Sequence, residues 1–391
     1  MLASSLQSRN CRSPVNPKSG PAALKPVKRV GTAKLWLVSG TVPHYREMVE
    51  LGREITRALV EACGPEETVR RFADPTWLTA LACALGFEWD TSGQTTITLK
   101  ALKEGLWETD IPVRVVGGKG EEMRWVTYEL VRIGRDLSIR DRDELERVSK
   151  LTCSVDDSAL QDSYSVYFHA MVISEEGSWT VVNQGMNVQE RVARRYHWSS
   201  DRGATVERPH SSIFAERQEE VVLDMTSTDS KGTRETIVEL LRDTPASRLN
   251  EDLAQAKALL RGQRLLDREA AEVGGAELPQ HLLPPRSMDE ETIRRARNVE
   301  SFEELLTVKG VGPATIRGLV YVASLIYGTK VSWRDPVKFA YAHGTKSGRP
   351  YMVDRRAMLK NAELLREAVL SARLGDPGRM EALRRLNSLI G

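Results

Sequence analysis

Apolar residues recur at helical spacing from Met48 to Ala62 (Met48, Leu51, Ile55, Leu59), and Gly64-Pro65 ends the pattern, which predicts a first helix. Asp74-Pro75 opens a second, burying Trp77, Leu78, Leu81, Ala84 and Leu85. The stretch FEWDTSGQTTIT, 87–98, then breaks the periodicity as a hydroxyl-rich loop, and helical spacing returns over 99–106. Val113 to Val116 reads as a short strand running into Gly117-Gly118-Lys119-Gly120. From Ser163 the period changes to two. Tyr164, Val166, Phe168, Ala170 and Val172 alternate with other residues, Glu175-Glu176-Gly177 turns the chain, and Trp179 to Asn183 returns, which predicts a β-hairpin. Asn187 to Tyr196 reads as a basic helix carrying Arg191, Arg194 and Arg195 and ending in Tyr196-His197-Trp198. Two more helical stretches fill 229–272, and VGGAELPQHLLPP, 273–285, reads as a linker.

The most specific pattern lies further on, in LLTVKGVGPATIRGLVYVASLIY, 305–327. Ser301 with Glu304 forms a capping box, and Phe302, Leu305 and Leu306 give the short helix its apolar face. Gly310 and Gly312 allow a turn without side chains, and Pro313 suits the first position of a second, nearly all-apolar helix. The free N–H groups and dipole at such a helix start favour an anion. The stretch resembles the helix-hairpin-helix family, which grips the sugar–phosphate backbone of DNA without reading sequence. The resemblance makes Lys309, Gly310, Val311, Gly312 and Thr315 the DNA-binding turn, flanked by Arg317. The plain alternative is an ordinary tight turn between two core helices.

Charge agrees with the DNA reading. Between Thr307 and Lys360 there are ten Lys or Arg, among them Lys346, Arg355 and Arg356, against Asp335 and Asp354, whereas the whole chain of 391 residues carries only +2. With 41% hydrophobic and 28% charged residues the chain has the makeup of a soluble globular protein of two or three domains. No apolar run approaches the ~18 residues that would span a bilayer. Four scattered cysteines (11, 63, 83, 153) suggest neither a zinc site nor a disulfide-linked partner, and a reducing cytoplasm is the expected setting. Residues 1–34, with seven Lys or Arg and no acid, read as a disordered basic arm. It would serve as a nonspecific DNA contact or a transit-like segment, or arise from an upstream start codon.

Four groups of residues carry candidate chemistry. Ser92, Gly93 and Thr95 of the TSGQTT loop, with Lys119 of GGKG, make a phosphate-binding set, although the spacing is not that of a P-loop; a capped helix start at Thr95 or Thr96 and a plain turn at GGKG are the alternatives. Asp156, Asp157, Asp162, His169, Gln184 and His197 cluster around the β-hairpin. In a nuclease Asp157 and Asp162 would hold Mg²⁺ or Mn²⁺. Met171 stands two positions after His169, where a His-x-Lys motif would need lysine, so His169 also reads as a core histidine. Downstream of the hairpin, Asp354 looks like the aspartate of helix-hairpin-helix glycosylases, with Asp335 as competitor, while Ala314 and Thr315 stand where bifunctional members carry a catalytic lysine. The alternatives there are a helix cap at Asp335-Pro336 and an ion pair between Asp354 and Arg355 or Arg356.

The strings DPTWLTALACALGFEWDTSGQTT, ALQDSYSVYFHAMV, WTVVNQGMN, ARRYHW and DPVKFAYAHGTKSGRPYMVDRR resemble the archaeal and bacterial family catalogued as domain of unknown function 763, over roughly 35–390. The resemblance implies Asp90, Ser92, Gly93, Gln161, Asp162, His169, Gln184 and His197 as site candidates. The fold expected is α+β: a mixed α/β domain with a β-hairpin over 35–225, a helical connector over 226–285 and an all-helical helix-hairpin-helix domain over 286–391. The function expected is a DNA-processing or repair enzyme, a deoxyribonuclease or a DNA glycosylase. A noncatalytic DNA-binding scaffold is the rival, which predicts that the polar set around the β-hairpin is dispersed. A small-molecule enzyme with TSGQTT as its phosphate loop is the third reading.

Overall fold

The computed structural model describes residues 35–36, 44–87, 92–136, 141–215, 217–266, 278–337, 339–340, 355–372, 378–380 and 382–384. In chain order the elements are β1 (Leu35–Trp36), α1 (Tyr45–Cys63), α2 (Pro65–Arg71), α3 (Pro75–Ala84), α4 (Ser92–Leu106), β2 (Val113–Lys119), α5 (Val126–Asp136) and α6 (Arg142–Ser154). Next come β3 (Leu160–Gln161), β4 (Ser165–Ser174), β5 (Trp179–Asn187), β6 (Val192–Ser199), β7 (Ser212–Ala215), β8 (Leu223–Asp224), α7 (Lys231–Asp243) and α8 (Ala246–Leu266). The chain continues through α9 (Glu290–Arg295), α10 (Phe302–Thr307), α11 (Pro313–Leu325), β9 (Phe339–Ala340) and α12 (Arg355–Ser371). The architecture is mixed α+β, and among the described residues no helix is long and apolar enough to cross a membrane. Cys153 is a free thiol.

The sheet runs β2-β4-β5-β6-β7-β9, with β1 also on β6; its pairs are antiparallel except β7 with β9. Because paired residues share a face, the register divides the sheet cleanly. One face carries Val115, Phe168, Ala170, Val172, Val182, Gln184, Arg195 and His197. On it lie α1 to α4 and α12, which bury Ile55, Trp77, Leu81, Leu102 and Val369 with Phe168 and Val182. The opposite face carries Val116, His169, Met171, Val181, Asn183, Arg194, Tyr196 and Trp198. Residues from α5 to α11 close over it, joining Leu130, Leu151, Ile237, Leu253, Phe302 and Leu319 to Val181 and Trp198 in one core. That core crosses the expected boundaries at 225 and 285, and the described residues of 286–391 divide between the two faces, with α12 against α1 and α3.

Two expected elements differ. The basic stretch Asn187 to Tyr196 is not a helix but the end of β5, a turn and the start of β6. All eight residues of β6 are buried, so the alternation that usually marks a half-exposed strand is missing, and Arg194 and Arg195 are internal while Arg191 stays exposed in the turn. The TSGQTT segment is the first turn of α4 from Ser92 onward, seven residues before the expected start, with Thr96 Oγ1 donating to the Ser92 carbonyl at 3.3 Å. Tertiary burial of Gln94, Thr95 and Thr98 overrides the poor helix propensity of a Thr-rich run. By contrast, α3 starts after Asp74 as expected, and the Asp74 carboxylate caps it, accepting from Thr76 N at 2.8 Å.

Candidate functional site

The structure sorts the predicted residues into four places. At the start of β6, Arg194 is fully buried and forms a bidentate pair with Asp335 (3.1 and 2.8 Å) and a further bond to Asp162 at 2.8 Å. The Tyr196 hydroxyl also donates to Asp162 at 2.8 Å, and Glu219 N donates to Asp335 at 2.7 Å. Asp335 further accepts from Val337 N at 3.1 Å, and among the described residues the next element is the strand β9 rather than a helix, which corrects the alternative of a helix cap. Burial, reinforced by Asp335 and opposed by Arg194, pushes the Asp162 carboxyl up to about 7. Two carboxylates proposed for catalysis thus lock the segment after α11 onto β6.

Beside this node, on the same face, runs a second buried chain of side chains. Asp156 accepts from His210 Nε2 at 2.5 Å, from Asn183 Nδ2 at 2.7 Å and from Trp198 Nε1 at 3.0 Å. Asn183 Oδ1 lies 2.6 Å from His169 Nδ1, and His169 Nε2 lies 2.8 Å from Ser149 Oγ. Since the Asn183 oxygen only accepts, His169 carries its proton on Nδ1 and receives the Ser149 hydroxyl on Nε2. Burial lowers the His169 pKa, in keeping with that neutral tautomer. His169 is therefore a fully bonded core histidine. Asp157, mostly buried, accepts from Val166 N at 3.3 Å, and its carboxyl is raised by burial. Burial likewise raises the Cys153 thiol, which holds it protonated rather than as a nucleophile. Among the described residues no group of three His, Cys, Asp or Glu side chains forms a metal site.

Gln184 lies on the other face, away from Asp162 and His169. Its Nε2 donates to the Ser92 carbonyl at 3.0 Å and bonds the Tyr167 hydroxyl, while its Oε1 has no partner among the described residues. Tyr167 reaches this face because β4 is irregular between Val166 and Phe168, a bulge that re-aims one side chain. Lys119 Nζ sits 5.6 Å above the Tyr167 ring. Arg195 NH1 bonds Thr95 Oγ1 at 3.2 Å, and NH2 bonds Thr79 Oγ1 at 3.3 Å. Ser92, Thr95, Lys119 and Gln184 are therefore neighbours around the start of α4, with Gly93 next in the helix. The participation of Tyr167, and the place of Arg195 beside the start of α4, are not legible in the sequence, since a bulge and a cross-sheet contact leave no local signal. His197 donates from Nδ1 to the Phe72 carbonyl, at 2.7 Å, and burial followed by Arg195 depresses its pKa well below the usual value. GGKG is not an open ligand loop. Gly117 N donates to Glu129 at 2.8 Å, and Lys103 bonds both the Gly117 carbonyl and Glu129 at 2.6 Å.

The fourth place is the turn between α10 and α11. Ser301 accepts from Glu304 N at 3.1 Å, while the Glu304 carboxylate reaches back to Glu300 N at 2.8 Å. Gly310 adopts φ 98° and an added Cβ would lie 2.6 Å from Thr292 Oγ1, so the turn needs glycine there. Gly312 is extended, with open space around its Cα, and Pro313 opens α11. Lys309 and Gly310 are exposed, whereas Thr315 is buried. Arg317, expected beside a bound phosphate, instead donates to the Leu283 carbonyl and to Gln161 Oε1, each at 2.7 Å. Gln161 Nε2 in turn bonds the Pro313 carbonyl at 2.9 Å, which fastens the start of α11 to β3. Asp90, Lys346 and Asp354 lie outside the described residues; Arg355 and Arg356 begin α12.

A mixed α+β protein with a polar interior engaged in its own bonds, and an exposed glycine turn between two short helices, is what these sites define. A model of the family described as protein of unknown function (DUF763) matches residues 31–353, and the chain belongs to that family. No curated protein and no solved structure matches it.

Proposed function

We propose that this protein binds DNA by its sugar–phosphate backbone through the turn from Lys309 to Pro313 and serves in DNA processing. One observation carries the reading. Gly310 in the left-handed region, bare Gly312 and Pro313 at the head of α11 present a turn without bulky side chains beside the exposed ammonium of Lys309. Backbone amides at a helix start and a flexible cation are the groups that hold phosphate. The dispersal of Asp162, His169 and Gln184 over two faces of the sheet, with Asp162 and Asp335 tied to Arg194, favours binding over cleavage at the β-hairpin. Cleavage at Asp354 would need no residue of that sheet.

Gly312 offers a clean test, because an added methyl meets nothing within 4 Å and its extended backbone suits alanine. Gly312→Ala keeps its thermal midpoint and weakens binding to a duplex, while Lys309→Ala lowers the slope of log K against log salt by about 0.9. Unchanged affinity and slope in both variants would rule out this turn as the DNA contact. Incubation of the wild type with single-stranded, duplex, abasic and flapped DNAs, with and without EDTA, separates the reactions. EDTA-sensitive nicking selects a nuclease, alkali-revealed abasic sites a glycosylase, and no turnover a binding protein. A second reading, a small phosphate-bearing ligand at the start of α4, is favoured by the meeting of Ser92, Thr95, Lys119 and Gln184.

A further inference from the structure

The strongest feature outside those sites is the exposed face that follows β2. Trp125 ends a 3₁₀ turn over Gly120–Trp125, and Tyr128 lies three residues on in the first turn of α5. Trp125 is 50% and Tyr128 63% exposed, on a helix whose other side buries Val126, Leu130 and Ile133 in the core. Three residues apart across the junction of the 3₁₀ turn and α5, the two stand on one side of the chain, and large exposed apolar surface gathered in one place marks a contact site. Cations flank them along the chain, Arg124 directly before Trp125 and Arg132 after Tyr128. Arg124 and Lys119 are exposed, Lys119 reaches the Tyr167 ring, and Arg132, one turn after Tyr128, stands 5.1 Å over the ring of Trp107. Among nearby acids, Glu122 packs back against Gly118, Glu108 lies 3.8 Å from Arg132, and Glu121 is exposed.

We propose that Trp125 and Tyr128 form a stacking platform for single-stranded DNA, with Arg124 and Arg132 along its backbone. A row of aromatic rings flanked by cations suits a strand whose bases are unpaired, since every base offers a π face and every linkage a charge. A duplex keeps its bases stacked on each other and has none to give. The inference adds a strand state to the DNA-binding reading and stands on different residues.

The test is anisotropy of a labelled oligo-dT, and separately of a labelled duplex, with the full chain. Trp125→Ala with Tyr128→Ala is expected to weaken oligo-dT binding by at least about fivefold per ring removed, with the thermal midpoint and duplex affinity unchanged. Trp125→Phe with Tyr128→Phe retains most of the affinity. Oligo-dT binding that is undiminished in the alanine pair would overturn the platform. So would duplex binding by the wild type without oligo-dT binding, which leaves the Lys309 turn intact. Self-association in sedimentation that the alanine pair abolishes, with no oligo-dT binding, would reassign the surface to protein contact. Platform-dependent oligo-dT binding without duplex binding would support it and defeat the Lys309 turn instead.

Discussion

Replacing Asp335 by alanine probes whether this carboxylate is structural or catalytic. In the fold it accepts four hydrogen bonds, two from Arg194 (3.1 and 2.8 Å), one from Glu219 N (2.7 Å) and one from Val337 N (3.1 Å). Arg194 is wholly enclosed, so water cannot replace the lost partner. Removing one member of a buried pair costs about 3–5 kcal/mol, against ~0–1 kcal/mol for an exposed pair. Arg194→Met is worse, because it strands Asp335 and Asp162 together, and its deficit grows from pH 5 to pH 8 as the Asp162 carboxyl, raised by burial, loses its proton. Replacing all three (Arg194→Met, Asp162→Leu, Asp335→Leu) recovers much of the loss, since no unpaired charge is then buried. Urea titrations followed by circular dichroism at both pH values supply the numbers, with a constant m value certifying that the unfolding unit is unchanged. If Asp335→Ala shifts stability by less than about 1 kcal/mol, the node is not a lock between β6 and the segment after α11.

Two other outcomes follow from single contacts. His197 is held neutral, with a folded pKa below its unfolded value of about 6.5, so the unfolded chain binds the extra proton and wild-type stability is present above that pH and lost as pH falls, by up to about 1.4 kcal/mol per unit. His197→Asn keeps a donor for the Phe72 carbonyl and does not titrate; the difference between the two stability–pH curves, in which the raised Asp157, Asp162 and Asp224 cancel, should slope below pH 6.5 and be flat above it. Gly310→Ala meets both a left-handed backbone and Thr292 Oγ1, which Asp289 holds at 2.7 Å. It should cost about 1–3 kcal/mol and speed hydrogen exchange in α10 and α11, and a neutral result would show that the turn relaxes freely.

The sequence by itself determined the elements whose signals are local. The Asp74 and Ser301 caps, the glycine turn at 310–312 and the alternation of β4 follow from hydrogen bonding and backbone sterics within a few residues, so they are legible without the fold. Tertiary structure decided the rest. Arg194 and Arg195 read as part of a basic helix because their partners stand far away in sequence, at Asp162, Asp335, Thr95 and Thr79, and only the tertiary fold brings those groups within bonding distance. Asp162, His169 and Gln184 look like one constellation along the chain, yet β4 and β5 send His169 and Gln184 to opposite faces, because side chains alternate and register assigns each to a layer. Arg317, plausible beside a phosphate from its position alone, is held by Gln161 instead. Local physics set the caps and the glycine turn, whereas long-range packing and pairing set where α4 and β6 begin and which polar groups remain available to a ligand.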